Sequence, residues 1–231
     1  MVEAQVRPCH KQAEFIARIQ GAMGVTMGPV SCHIVNEPGM AKVMTRSGWS
    51  ANETTGVVGF QVAQDVYVLD STPWTVLHEL VHRSGINGDR LNRFVAEGLT
   101  EAIARELKRS PDEHQPTYPT ETTWVQQQLL PLLGLSAVQL GTALAKSSSP
   151  PDALAALIQA KKPGVDVNKL RHELRPQAPE RPSFNRCGQG VCTRVSVGSA
   201  SMPTPDSTGW NAGLLLVTAG FLLMVSAPNS R

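Results

Sequence analysis

Apolar residues along this chain recur at helical spacing in several stretches and cluster as short strands in one. From Gln12 to Met23, Phe15, Ile16, Ile19 and Met23 fall on one helical face, and Gly21 and Gly24 mark its end. Residues 30–70 change character. Segments 30–35, 41–45, 56–62 and 66–69 read as strands, the second following a turn at Asn36-Glu37-Pro38-Gly39, the last two joined around Ala63-Gln64-Asp65. Trp74, Leu77, Leu80 and Val81 then repeat as one helix face. Ser71 or Thr72 caps it, Pro73 fits its first turn, and Gly85 stops it. A second such helix runs through Leu91, Phe94, Val95, Leu99, Ala102, Ile103 and Leu107, with Asp89 as cap and Ser110-Pro111 past its end. Helices at 122–133, 136–146 (capped by Ser136), 151–158 and 168–174 (capped by Asn168) follow. The pattern predicts an α+β fold: a small, mostly antiparallel sheet packed on two helices, then a helical lobe.

Past residue 174 the pattern breaks. Pro176, Pro179, Pro182, Pro203 and Pro205 stand among Ser, Gly, Thr and Gln, so 175–208 reads as a disordered linker. Segment 209–227 is then apolar and uncharged, from Trp210 through Leu214, Phe221 and Val225. It is about the ~20 residues a bilayer span takes, with Trp210 placed as an interface anchor. The expected layout is a domain at 1–174, the linker, and a single-pass carboxy-terminal membrane anchor. Arg181, Arg186 and Arg194 before the span, against Arg231 after it, favour a cytoplasmic domain. A closed Cys187–Cys192 pair would favour the other side, and a soluble cytoplasmic protein is the alternative. The first residues, with Glu3, Arg7, His10, Lys11 and Glu14, carry no secretory signal pattern.

Composition narrows the function. A 41% hydrophobic content over 231 residues supports one true core, and a net charge of +2 without a Lys/Arg stripe excludes nucleic acid as the main partner. Cys9, Cys32, Cys187 and Cys192 are too few for a disulfide-stapled scaffold. The echo of Cys9-His10 in Cys32-His33 leaves three readings open: a second metal site, buried thiols, or one disulfide.

The chemistry concentrates at His78-Glu79-Leu80-Val81-His82. Residues four apart share a helix face, so both imidazoles can hold one zinc ion, with Glu79 beside them to act on a water. A catalytic zinc commonly takes three protein ligands, and Glu97 on the next helix completes the set. Gly98 removes a side chain where helices approach closely. Glu101, one turn beyond Glu97, is placed to accept the free N–H of a ligating histidine.

An H-E-x-x-H helix followed by a ligand Glu-Gly on the next resembles the gluzincin metallopeptidases, the clan of thermolysin. The resemblance covers roughly residues 56–107, with a shorter loop between the second histidine and Glu97 that suggests a minimal catalytic core. It implies one Zn2+ on His78, His82 and Glu97, Glu79 as general base, and Glu101 orienting a histidine. It also implies a sheet edge lining the cleft, for which the strand pair before the zinc helix is the candidate. A Tyr or His should stabilise the oxyanion, and Tyr118 is preferred over His114. The implied activity is hydrolysis of peptide or protein substrates. The alternatives are an inactive, membrane-tethered metal-binding or protein-binding module, and a zinc hydrolase acting on another acyl group. An intact Glu79 argues for an enzyme.

Overall fold

The computed structural model describes residues 9–50, 54, 56–69, 72–113, 117–178, 181–182, 186–188 and 191–193. Helix α1 (Gln12–Met23) forms where its spacing predicts, with Phe15, Ile19 and Met23 buried. Gly24, not Gly21, ends it, in the left-handed conformation (φ 57°) that suits glycine. The chain then enters β1 (Ser31–Ile34), where Cys32 forms a disulfide with Cys9 across a Cα separation of 5.6 Å. Both sulfurs are consumed by that bond, and His10 is exposed, so the second metal site is excluded.

Residues 41–45 are not a strand. They belong to helix α2 (Glu37–Arg46). The Asn36 side chain accepts the Gly39 N–H (2.9 Å), and Pro38 sits in the first turn, where its missing donor costs nothing. Met40 and Met44, one turn apart, bury against Val35, with Trp49, Phe60 and Tyr67 packed around them.

Strands β2 (Gly59–Val62) and β3 (Asp65–Val68) form the expected hairpin, with Ala63 at φ 50° in its turn. The sheet order is β1-β3-β2. β3 pairs antiparallel with β2 and parallel with β1, so the sheet is mixed rather than mostly antiparallel. The parallel pair follows from α2, because parallel neighbours need a long crossover between them.

Helix α3 (Pro73–Arg83) lies in the core, buried continuously from Trp74 to His82. It packs on the sheet through β2 and β3 and on α1 and the next helix. Helix α4 (Arg93–Leu107) is capped by Asn92 rather than Asp89: the Asn92 side chain accepts the Val95 N–H (3.3 Å). Asn92 also donates through its amide to Ala178 O (2.7 Å) and through its backbone N–H to Leu174 O (2.8 Å). These bonds tie the start of α4 to the end of the helical lobe.

That lobe comprises α5 (Pro119–Leu133), α6 (Ala137–Ala145), α7 (Pro150–Lys161) and α8 (Val167–Glu173). α5 widens to a π turn at Val125–Leu129, just before Pro131, whose ring would clash with a regular helical turn. Ser136 and Gln139 form a capping box on α6, and Asp166, not Asn168, caps α8. Apolar faces from α1, α3, α4 and the lobe make one core. Beyond the lobe, Arg186–Gly188 and Val191–Thr193 pair antiparallel with Cys187 opposite Cys192. Most of the linker and the whole 209–227 segment lie outside the described residues. Among the described residues, no single helix is long and apolar enough to cross a membrane.

Candidate metal centre

His78 and His82 lie one turn apart on α3, and their Nε2 atoms stand 3.1 Å from each other. Glu97, one turn into α4, brings Oε2 to 3.3 Å from His78 Nε2 and 3.1 Å from His82 Nε2. Among the described residues, these three form the one group placed to hold a metal ion. His78 and His82 are buried, and Glu97 opens slightly to a cleft of about 960 Å³.

Hydrogen bonds behind the rings set which nitrogen carries the proton. His82 Nδ1 lies 2.7 Å from Ile86 O, which can only accept, so Nδ1 holds the hydrogen and Nε2 keeps its lone pair. Thr100 Oγ1 joins them at 3.2 Å from Nδ1. His78 Nδ1 lies 3.6 Å from Glu101 Oε2, an ion-pair distance rather than a hydrogen bond. Glu101 is fully buried and held in place by Arg105 Nε (3.0 Å) and Thr117 Oγ1 (2.7 Å). It therefore stands behind the His78 ring, as its position one turn past Glu97 suggests.

The electrostatics reflect three electron-rich atoms gathered at one point. Burial disfavours charge on His78, but Glu101 and Glu97 outweigh it and push the imidazole up to about 10. Burial alone would raise the Glu97 carboxyl, yet His82 and His78 hold it well below the usual carboxylate range. A cation is favoured at this point, and a metal ion would replace the proton there.

Glu79 sits one residue from His78, buried, with its carboxyl pressed under β2. Burial raises its pKa against the opposing pull of His82 and His78. Tyr118, in the left-handed conformation (φ 48°) ahead of α5, stacks its ring on His78 at 5.6 Å and 19°. Burial and the charges of Glu97 and Glu79 push its phenol up, with Arg93 pulling down, so it stays a neutral donor. His114 lies outside the described residues.

The structure thus brings together His78, Glu79, His82, Glu97 and Tyr118 around one cleft, with Glu101 buried behind His78. It adds residues that the sequence reading missed. Gly59 leaves the space that Glu79 fills, and the Ile86 carbonyl fixes a ring through a backbone atom, which no side-chain pattern announces. Arg93 was legible, since it lies one turn before Glu97 on the same helix; its Nε is 3.7 Å from Glu97 Oε1. Gly98 does mark a close approach, but to α5: a Cβ there would stand 2.5 Å from Glu121 O. The arrangement can hold a metal ion beside a buried carboxylate at the floor of a cleft. In comparisons with protein-family models, curated proteins and solved structures, nothing matches this chain.

Proposed function

We propose that this chain is a zinc-dependent peptidase of minimal gluzincin type, holding one Zn2+ on His78, His82 and Glu97 with Glu79 as general base. The observation that carries this reading is the triangle of ligand atoms. Zinc bond lengths of about 2.0–2.1 Å in a tetrahedron give ligand–ligand edges of about 3.3 Å. The three edges here are 3.1, 3.3 and 3.1 Å. The donor set of two imidazoles and one carboxylate suits a hydrolytic zinc site with one position left for water.

Bound zinc would act as a Lewis acid and lower the pKa of a water towards ~7. Glu79 would take a proton from the attacking water and deliver it to the leaving amine. The Ile86 carbonyl holds the His82 ring in register, Glu101 presents its charge behind His78, and Tyr118 is placed as a neutral donor. A peptide substrate is supported by β2. All four of its residues line the cleft, and β3 is its one neighbour among the described residues. An extended backbone can add to such an edge.

The proposal extends to a tether through residues 209–227, argued from apolar length alone. The Cys9–Cys32 disulfide supports an oxidising compartment for the domain, against the cytoplasmic side that the arginine distribution favours.

The test is casein cleavage by zinc-loaded protein, with chelation and Glu79→Gln as controls. Cleavage blocked by the chelator and abolished in Glu79→Gln, which keeps its zinc, supports the reading. A zinc-loaded wild type that cleaves nothing, or a Glu79→Gln variant that loses its zinc, overturns it.

A further inference from the structure

We propose that Arg93 is a catalytic residue that donates its guanidinium N–H to the carbonyl oxygen of the bond being cleaved. This rests on the peptidase reading above and deepens it.

The argument starts from charge. The lining of the cleft carries carboxylates at Glu79, Asp89 and Glu97, and Arg93 is the only Lys or Arg among its described residues. Attack on a peptide carbonyl places new negative charge on the carbonyl oxygen; a zinc ion would meet part of that charge, and an N–H donor on the open side of the cleft would meet the rest. Arg93 projects from the first turn of α4, one turn before Glu97, with Nε 3.7 Å from Glu97 Oε1. That gap is too long for a hydrogen bond, so the N–H groups are not committed to Glu97. Its side chain is 56% exposed, and its guanidinium lies 5.1 Å from the Trp49 ring centre, on the edge of the same cleft. The cation–π contact with Trp49 holds the guanidinium near the cleft without consuming its donors.

The second observation is Tyr118. Its ring is stacked on His78, and it lines the same cleft as Arg93. The neutral donor and the charged donor therefore act as a pair beside the ligand triangle. Glu79 lines the same cleft from α3, under Gly59 of β2, and so approaches from different elements. In the step itself, the water oxygen bonds to the carbonyl carbon and Glu79 takes the water proton. The carbonyl π pair moves to its oxygen, where Arg93 and Tyr118 donate. The pair then returns as the C–N bond breaks, and the nitrogen leaves with the proton from Glu79.

The experiment compares zinc-loaded wild type, Arg93→Ala and Arg93→Lys. It reads peptide hydrolysis, zinc stoichiometry, and calorimetric binding of a peptide phosphoramidate, a tetrahedral anion resembling the attacked carbonyl. Losing one such donor costs on the order of 100-fold in kcat. Arg93→Ala is expected to lose about that factor in kcat with KM little changed. It should weaken the phosphoramidate to a similar extent and keep one zinc, with Arg93→Lys recovering part of both losses. Unchanged kcat and phosphoramidate affinity in Arg93→Ala overturn the proposal, as does a loss explained by lost zinc, which would make Arg93 a support for Glu97. If wild type binds zinc and the phosphoramidate but cleaves nothing, the peptidase reading fails, and the affinity of Arg93→Ala still judges Arg93.

Discussion

Gly59 makes room for Glu79: a Cβ at Gly59 would stand 2.5 Å from Glu79 Oε1 and 2.7 Å from its Cγ. The edge strand thus sets the position of the proposed general base through the absence of a side chain. Gly59→Ala should push the Glu79 carboxyl out of line while leaving His78, His82 and Glu97 untouched. A displacement of about 1 Å at a reacting group costs on the order of 100-fold in rate. The expected result is a loss of that size in kcat/KM with zinc content retained, read by peptide hydrolysis and metal analysis. Full activity in Gly59→Ala would mean that the carboxyl is not fixed by the strand.

In the proposed site, Glu101 would act on the metal through His78. Its oxygens are pinned by Arg105 and Thr117, so it presents a fixed negative charge behind the ring. Glu101→Gln keeps the shape and removes the charge. Outer-shell changes of this kind lower metal affinity by about 10–100-fold. Competition against a chromogenic chelator should show that loss, and an unchanged affinity would remove Glu101 from the site.

The fold also carries a buried acid-sensitive link between α1 and the turn after α4. Glu113 accepts from Arg18 (2.6 Å), the Arg109 backbone N–H (2.8 Å) and Lys11 (3.1 Å), and Arg18 is shared with Glu14. Burial pushes the Glu113 carboxyl up, but these donors outweigh it and hold it at about 2, against an ordinary 4.5. A carboxyl depressed on folding stabilises the fold above its unfolded value and loses that contribution as pH falls towards the folded one. Urea midpoints should therefore fall as pH drops from about 4.5 to about 2. In Glu113→Gln that slope should flatten. Breaking a buried pair from one side costs about 3–5 kcal/mol, and the lower end is expected here because Glu14 remains with Arg18.

Cys9 and Cys32 close a loop of sequence separation 23 between the start of α1 and β1. A loop of that size is worth about 3 kcal/mol in chain entropy. Reduction, or replacement of both by Ala, should lower the unfolding free energy by roughly that amount while leaving zinc stoichiometry intact, because neither cysteine touches the centre. A redox-insensitive unfolding curve would mean that the pair is not bonded in solution.

The legibility of this chain followed the range of the signals. His78, Glu79, His82, Glu97 and Glu101 are set by helical spacing on two helices, and spacing of that kind is written locally. α2 was misread because Asn36-Glu37-Pro38-Gly39 fits both a turn and a helix start. The four-residue interval between Met40 and Met44 was the clue for the helix. Losing α2 hid the crossover that lets β1 run parallel to β3, so one local error became an error of sheet type. Asp89 and Asn92 are both acceptable caps by residue type, and the choice between them is made by Leu174 and Ala178, far along the chain. The Ile86 carbonyl, the space at Gly59 and the packing of Gly98 on α5 depend on three-dimensional approach and leave no pattern in one dimension.

Zinc stoichiometry by elemental analysis, on purified wild type and on His78→Ala, His82→Ala and Glu97→Ala, decides whether the two helices share an ion. One equivalent in wild type, with a marked loss in each of the three variants and none in Glu79→Gln, is the expected result. A wild type that binds no zinc, or variants that retain a full equivalent, would contradict it.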